Sequence, residues 1–147
     1  MNYFEDKTIV VPVDFSEDST RAVERTIELA GEAPDLHLVH VVDPIPTMIS
    51  FDPAMPVPPS YDKQRVDHAT DHMKKLFGSG KYSRLQRHCV VGDPGTEIVE
   101  LAKRVKADLI VMPSHGRTGL KRLFLGSVAE RVLRFSECPV LVWREKE

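Results

Sequence analysis

The chain has 147 residues, which suits a single domain, and its 41% hydrophobic residues are enough for a sizeable core. With 20 basic and 22 acidic residues the formal net charge is −2. This balance excludes a general binder of nucleic acid or of anionic membrane surfaces, because such proteins carry a visible basic excess. Any site for an anion must therefore be local.

The predicted compartment is the cytoplasm. The opening MNYFEDKTIVVPVD lacks the basic segment and long apolar run of a secretory signal. No stretch approaches the roughly 18 apolar residues that a membrane-spanning helix needs. Cys89 and Cys138 are too few for a disulfide framework. Both lie in apolar, strand-like runs, so we expect them to be buried small hydrophobic residues.

The first third of the chain predicts a βαβ unit. Lys7–Asp14 is a continuous apolar run that ends in an acid, as is typical of a central parallel strand buried on both faces. Ser16 is a good N-cap for the helix that follows, and Gly31 ends that helix. Leu36–Val42 predicts a second strand. The apolar face of the helix consists of Val23, Thr26, Ile27 and Ala30.

A proline-rich loop interrupts this alternation. Residues 43–60 hold six of the 11 prolines and cannot form a regular element, so they are predicted to be an insertion within one domain that spans residues 1–147. Tyr61–Phe77 resumes as a helix that Gly78 and Gly80 terminate. Its predicted apolar stripe is Val66, Ala69, Met73 and Leu76.

The rest of the chain continues the alternation of strands and helices. Asp93 and Pro94 predict a helix start, with Asp93 as N-cap, and the inward face that follows is Ile98, Leu101, Ala102 and Val105. Five strands alternating with four helices predict one doubly wound α/β domain with a parallel sheet. The remaining predicted elements are strands at Leu85–Val91, Asp108–Met112 and Val140–Trp143 and a helix at Ser127–Ser136.

Ligands of open parallel sheets bind beyond the carboxyl ends of the strands, and one segment there has the composition of an anion site. It runs from Met112 to Ser127. Its glycines let the backbone approach a ligand, its cations attract an anion, and it ends at a helix start, where free N–H groups favour phosphate. The glycines are Gly116, Gly119 and Gly126, and the cations are Arg117, Lys121 and Arg122.

An alternative interpretation of the same helix start is a capping box, formed by Ser127 and Glu130. The spacing of the segment matches neither the GxxxxGK[ST] phosphate loop nor the GxGxxG dinucleotide fingerprint. From these residues alone both interpretations remain open.

In this segment the sequence resembles the universal stress protein family. ATP-binding members of that family share a signature of Gly, two residues, Gly, nine residues, Gly, and Ser or Thr. Here Gly116 is followed by nine residues and then Gly126 and Ser127, whereas Pro113 stands where the first glycine would be. The opening IVVPVDFS, the HVV strand, the GDPGTEI turn and the closing CPVLV strand also match, so the resemblance spans nearly the whole chain.

The resemblance implies a Rossmann-like fold of the adenine nucleotide alpha hydrolase type, with strand order 3-2-1-4-5, and an ATP site, with AMP or ADP as related ligands. Pro12, Val13 and Asp14 would line the base and ribose, with Asp14 near the sugar or a phosphate that carries Mg²⁺ or Mn²⁺. Val41 would pack on the adenine. By the same resemblance Met112, His115 and Gly116 would flank the ribose and phosphates, and Gly126, Ser127 and Val128 would hold the phosphate chain.

The resemblance also implies partners. Val140–Val142 is an apolar edge strand, which is a liability unless it is covered, and similar proteins pair this strand across a dyad to form a homodimer. His68 and His72 have the spacing of metal ligands on a helix, but they lie off the apolar stripe beside acids, so a solvated polar face is expected.

Three functions follow, in this order. The first is an ATP-binding regulatory module that responds to stress through an unknown protein partner. The second is a family member without nucleotide binding that acts only through protein contacts. The evidence for it is Pro113, which replaces the first glycine of the signature. The third is a slow ATPase or autophosphorylating enzyme, although beyond Asp14 and His115 no general base is evident.

Overall fold

The computed structural model describes residues 4–31, 35–44, 60–115 and 125–144. In this part of the chain five strands alternate with four helices. All five strands lie in one parallel sheet of order 3-2-1-4-5, which confirms the predicted fold class and strand order. The strands are β1 (Thr8–Pro12), β2 (Asp35–Val42), β3 (Gln86–Val91), β4 (Leu109–Pro113) and β5 (Val140–Trp143), and the helices are α1 (Glu17–Ala30), α2 (Ser60–Phe77), α3 (Pro94–Arg104) and α4 (Ser127–Phe135).

The centre of the sheet is β1, which pairs with β2 on one side and β4 on the other. Ile9, Val10 and Val11 of β1 are each 1% exposed or less. A strand that is hydrogen-bonded on both edges and covered on both faces has no polar side to present. This burial explains the unbroken apolar run that marks β1 in the sequence.

Each face of the sheet carries two helices and its own hydrophobic cluster. On one face, α1 and α2 place Val23, Met73 and Phe77 against the sheet. On the opposite face, α3 and α4 do the same with Ile98 and Val132. The helices on both faces run back over a parallel sheet, so the amino-terminal ends of α1, α3 and α4 follow the carboxyl ends of the strands.

Helix α2 corrects one detail of the sequence prediction. Leu76, predicted to lie on the apolar stripe, is 41% exposed, whereas Phe77 is 1% exposed. The buried positions Ala69, Met73 and Phe77 recur every four residues, so the face of α2 that packs against the sheet includes Phe77 and not Leu76. Phe77 also packs edge-on against Tyr82, with ring centroids 5.2 Å apart, and this contact favours the aromatic residue over the leucine.

The cysteines and the end of α4 also differ from the sequence prediction. Cys89 and Cys138 are free and half-buried rather than buried, and Cys138 precedes β5 instead of lying in a strand. Helix α4 ends at Phe135, with Ser136 as its C-cap. Most of the predicted proline-rich loop, at residues 45–59, lies outside the described residues. Within the ranges that the structure describes, none of the helices is long and apolar enough to cross a membrane.

Candidate functional site

A cavity of about 320 Å³ opens at the carboxyl edge of the sheet. It lies where β1 and β4 adjoin, with β2 and β3 on one side and β5 on the other. The strand order reverses at this point, which is where open α/β sheets bind their ligands. The volume is also at the lower end of the range of about 300–1,000 Å³ found for small-ligand sites.

The base of the cavity is apolar. Val13 and Met112 line it and are 3% and 4% exposed. The Val13 N–H donates to the Val39 carbonyl at 2.8 Å, which extends the β1–β2 ladder one residue beyond the end of β1. Half-buried Val41, on β2, contributes a further apolar side chain. A flat apolar ligand group fits such a surface better than a charged one.

The loop after β1 is held in a strained turn. Phe15 has φ = 63°, in the left-handed region that costs a residue with a β-carbon about 1–2 kcal/mol. On either side of it, the Asp14 carboxylate accepts a hydrogen bond from the Ser16 N–H at 2.9 Å. Ser16 in turn caps α1, because its hydroxyl accepts from the Ser19 N–H at 3.2 Å. Asp14 therefore reaches the cavity as part of a closed turn.

His40 was not singled out in the sequence, yet its side chain lines the cavity. Its Nδ1 lies 2.7 Å from the Val13 carbonyl oxygen. A carbonyl oxygen only accepts, so Nδ1 carries a proton and the ring braces the end of β1. The available signal was its place directly before Val41, close to the carboxyl end of a strand. Other lining residues that the sequence reasoning missed are Ser19, Val39, Asp43, Pro94, Ile98, Ser114 and Ala129.

The start of α4 is open toward the cavity. Gly126 is its N-cap and offers no side-chain hydrogen bond, so Ser127 is the first helical residue and not the cap. The capping-box interpretation is therefore wrong. The Glu130 N–H donates to the Gly126 carbonyl at 2.9 Å, and the three N–H groups before it have no partner within the helix. Gly126, Ser127, Val128 and Ala129 all line the cavity.

The start of α3 borders the same cavity through Pro94, but it is closed, because a side chain of the protein caps it. The Asp93 carboxylate accepts from the Thr96 N–H at 2.9 Å and from its hydroxyl at 2.8 Å. These hydrogen bonds, foremost the one from the Thr96 N–H, lower the pKa of Asp93, and Arg131 lowers it further. Asp93 also forms an ion pair with Arg131 of α4 at 3.3 Å.

His115 follows β4 and brings an incompletely satisfied ring to the cavity. Its Nδ1 lies 2.9 Å from the Ser114 hydroxyl. Its Nε2 is buried and has no hydrogen-bond partner within the described part of the chain. The strand end beneath it is fixed, because the Ser114 N–H donates to the Trp143 carbonyl at 3.0 Å and the Ser114 carbonyl accepts from the Gly126 N–H at 2.9 Å.

The structure brings together most of the residues predicted for the site. Gly116 and Arg117 lie outside the described residues, as do the other two predicted cations. In the described ranges no group of three or more His, Cys, Asp or Glu side chains is placed to hold a metal ion. The predicted residues that do line the cavity are Pro12, Val13, Asp14, Val41, Met112, Pro113, His115, Gly126, Ser127 and Val128.

Comparison with known proteins identifies the family. The sequence profile of the universal stress protein family matches residues 6–144. Universal stress protein MJ0531 of Methanocaldococcus jannaschii is 37% identical over 143 residues, covering 92% of this chain and 81% of the relative.

Solved structures agree with the sequence comparison. The solved structure of MJ0577, from the same organism, superposes with a TM-score of 0.78 at 31% identity and covers 97% of this chain and 98% of its own. A universal stress protein in complex with cAMP superposes with a TM-score of 0.58 at 32% identity and covers 94% of this chain and 96% of its own. The chain belongs to the universal stress protein family.

Proposed function

We propose that this protein binds ATP in the cavity between β1 and β4 and acts as a nucleotide-dependent regulatory module of the stress response. The observation that carries the proposal is the start of α4, which lines the cavity and has no side-chain cap among the described residues. Free N–H groups at a helix start, together with the positive end of the helix dipole, favour a phosphate group.

The two halves of the cavity suit the two halves of a nucleotide. The apolar surface of Val13, Val41 and Met112 supports an adenine ring, whose faces gain from leaving water. The start of α4 lies on the other side and supports the phosphates. Asp14 stands at the β1 end of the cavity, where a carboxylate suits the ribose hydroxyl groups.

His115 supports the same assignment. A buried ring nitrogen without a partner is costly, because its hydrogen bond to water is lost on folding and is not replaced. If the Ser114 hydroxyl donates to Nδ1, Nε2 carries a proton and can donate to a phosphate or ribose oxygen. A bound nucleotide would thus remove a cost that the described residues leave in place.

A metal ion in this proposal enters with the ligand. The described residues form no cluster of ligating side chains, so Mg²⁺ or Mn²⁺ would be held mainly by the phosphate oxygens. The carboxylate of Asp14 lines the cavity and would accept a hydrogen bond from a metal-bound water. The similar protein whose structure contains cAMP supports an adenine nucleotide as the ligand class.

A second candidate function rests on Pro113. This residue lines the cavity at the end of β4 and has no backbone N–H to offer a ligand. If its ring keeps nucleotides out, the protein acts through protein contacts alone. Slow ATP hydrolysis remains an alternative to pure binding, and no observation favours it.

The proposal includes a homodimer formed through β5. This strand lies at the edge of the sheet, and the side chains of Val140–Trp143 are all half-buried. Pairing with a second copy would satisfy the open edge. Light scattering during gel filtration should give twice the mass of the chain, and Val142→Lys should give the monomer mass. Two free cysteines suit the reducing cytoplasm, where we place the protein.

Calorimetric titration tests the nucleotide site. ATP, with and without Mg²⁺, should bind the wild type with micromolar affinity, and adenosine should bind much more weakly. Ser127→Asp adds a carboxylate at the start of α4 and should abolish ATP binding. Ser83→Asp adds the same charge at an exposed position before β3 and should leave binding unchanged. No binding of ATP by the wild type would overturn the proposal and favour the second candidate.

A further inference from the structure

Three aromatic rings meet beside the loop that carries Asp14. The ring of Phe15 lies 4.4 Å from that of His40 and 4.3 Å from that of His72, measured between centroids. The planes of Phe15 and His72 are 20° apart, so these two rings are stacked. We call His40, Phe15 and His72 the Phe15 stack. It joins the loop after β1 to β2 and to α2.

The Phe15 stack coincides with backbone strain. Phe15 adopts φ = 63°, and a strained residue of this kind persists only where its surroundings hold it. The side chain packs against the two imidazoles and against the hydrophobic cluster between the sheet and helices α1 and α2. His40 is itself fixed by its hydrogen bond to the Val13 carbonyl. The only exposed member of the stack is His72.

The conformation of Phe15 decides where Asp14 points. The Asp14 carboxylate and the Ser16 N–H meet at 2.9 Å across Phe15, and this closure requires the backbone turn at that residue. If Phe15 relaxes to an ordinary φ, the hydrogen bond opens and the carboxylate moves relative to the cavity that it lines. The Ser16 cap of α1 would loosen with it.

We propose that His72 is a positioning residue: its ring holds Phe15 in the left-handed conformation and thereby presents the Asp14 carboxylate to the cavity. His72 lies on α2 and is not among the residues that line the cavity. It therefore acts on a ligand only through Phe15 and Asp14. The consequence for ligand affinity rests on the proposed nucleotide site, whereas the consequence for the loop does not.

The test compares four proteins by two measurements. The proteins are the wild type, His72→Ala, His72→Phe and His68→Ala. His72→Phe keeps a flat ring for stacking, and His68→Ala removes another exposed imidazole from the same helix one turn earlier. The measurements are the Kd for MgATP by calorimetry and amide hydrogen exchange at Ser16 and Ser19, the two N–H groups that close the loop and cap α1.

His72→Ala should weaken MgATP binding about two- to tenfold, the size expected for loss of one aromatic contact. It should also speed exchange at Ser16 and Ser19 while exchange at Val10 and Ile110, in the central strands, stays unchanged. His72→Phe should restore both quantities, and His68→Ala should change neither. Restoration by phenylalanine separates stacking from charge and from a general loss of stability.

The outcomes that overturn the inference are also distinct. Unchanged exchange at Ser16 and Ser19 in His72→Ala, or failure of His72→Phe to restore it, removes the positioning role. Faster exchange with an unchanged Kd removes the link from the Phe15 stack to the ligand. If the wild type binds no ATP, the proposed nucleotide site fails, and the exchange data alone then decide whether His72 positions the loop.

Discussion

The starts of α3 and α4 border the same cavity but differ in their N-caps. At α3, the Asp93 carboxylate occupies the N–H and hydroxyl of Thr96. At α4, Gly126 supplies no side-chain cap. Both helices begin with backbone N–H groups that the helix itself cannot satisfy. The start of α3 therefore has a side-chain cap, whereas among the described residues the start of α4 has none.

The difference separates stability from binding. A capping carboxylate stabilises a helix and also repels an anion, because it holds the same N–H groups that a phosphate would use. The protein has this arrangement at α3 and omits it at α4, at the cost of a slightly weaker helix. Asp93 also reaches Arg131 of α4 at 3.3 Å, so the closed start braces the helix whose own start is open.

The largest expected effect comes from adding a side-chain cap to the start of α4. Gly126→Asp gives α4 a carboxylate cap of the kind that α3 has, and the backbone of Gly126, with φ = −64° and ψ = 153°, suits any residue. We expect ATP affinity to fall about 100-fold or more, because donors are lost and a negative charge is added. Thermal unfolding should show unchanged or slightly higher stability.

Gly126→Asn is the matched control, since it caps the helix without a charge. It should weaken ATP binding by only about tenfold. Equal affinity of the wild type and Gly126→Asp would mean that the phosphates do not lie at the start of α4.

The converse change opens α3. Asp93→Ala removes the cap and the pairing with Arg131, and the free energy of unfolding should fall by about 1 kcal/mol, within the usual range of about 0.5–2 kcal/mol for lost N-caps. Urea unfolding followed by circular dichroism measures this loss. ATP affinity should stay within about twofold of the wild type. A tenfold loss of affinity would show that the closed start also contributes to the ligand site.

Pro113→Gly tests the end of β4, which borders the same cavity. The change adds one N–H to the cavity edge and should tighten ATP binding by no more than about threefold, the lower range for one hydrogen bond. Calorimetry measures the affinity, and Pro113→Ala separates loss of the ring from the added freedom of glycine. Binding that appears only in the glycine and alanine variants would identify Pro113 as a block and favour the second candidate function.

The smallest expected effect concerns pH. The folded-state pKa of Asp93 lies below its usual 3.8, so this carboxyl contributes stability above that pH and loses it as the pH falls through the folded-state value. The stability difference between the wild type and Asp93→Asn should therefore be larger at pH 6 than at pH 3. Because the side chain is 52% exposed, the change should be a few tenths of a kcal/mol. Urea unfolding at several pH values measures it, and a difference that grows toward acid would contradict the assignment.

The sequence was sufficient for the sheet and for the closed helix start. An unbroken apolar run such as the one in β1 is typical of a strand buried on both faces, so the sequence pattern predicts a central strand there. Asp93 and Pro94 form a local cap signal that does not depend on distant residues, and the structure has Asp93 as the cap. The strand order could be anticipated only through the family resemblance.

The open start and the Phe15 stack were harder to predict for physical reasons. Ser127 and Glu130 have the spacing of a capping box, and a shift of one residue decides whether Ser127 caps the helix or begins it. His40 and His72 are 32 positions apart and meet Phe15 only because β2 and α2 pack beside the loop. The prediction that Leu76 is buried was wrong, because the sequence has two adjacent apolar residues at this point and Phe77 is the one that packs against the core.

Amide chemical shifts during titration with ATP report the two helix starts in one experiment. We expect large shifts at Ser127, Val128 and Ala129, small shifts at Thr96, and loss of the shifts at α4 when adenosine replaces ATP. Shifts concentrated at Thr96 and Glu97, or none at Ser127 under saturating ATP, would contradict the claim that the uncapped start of α4 is the phosphate site.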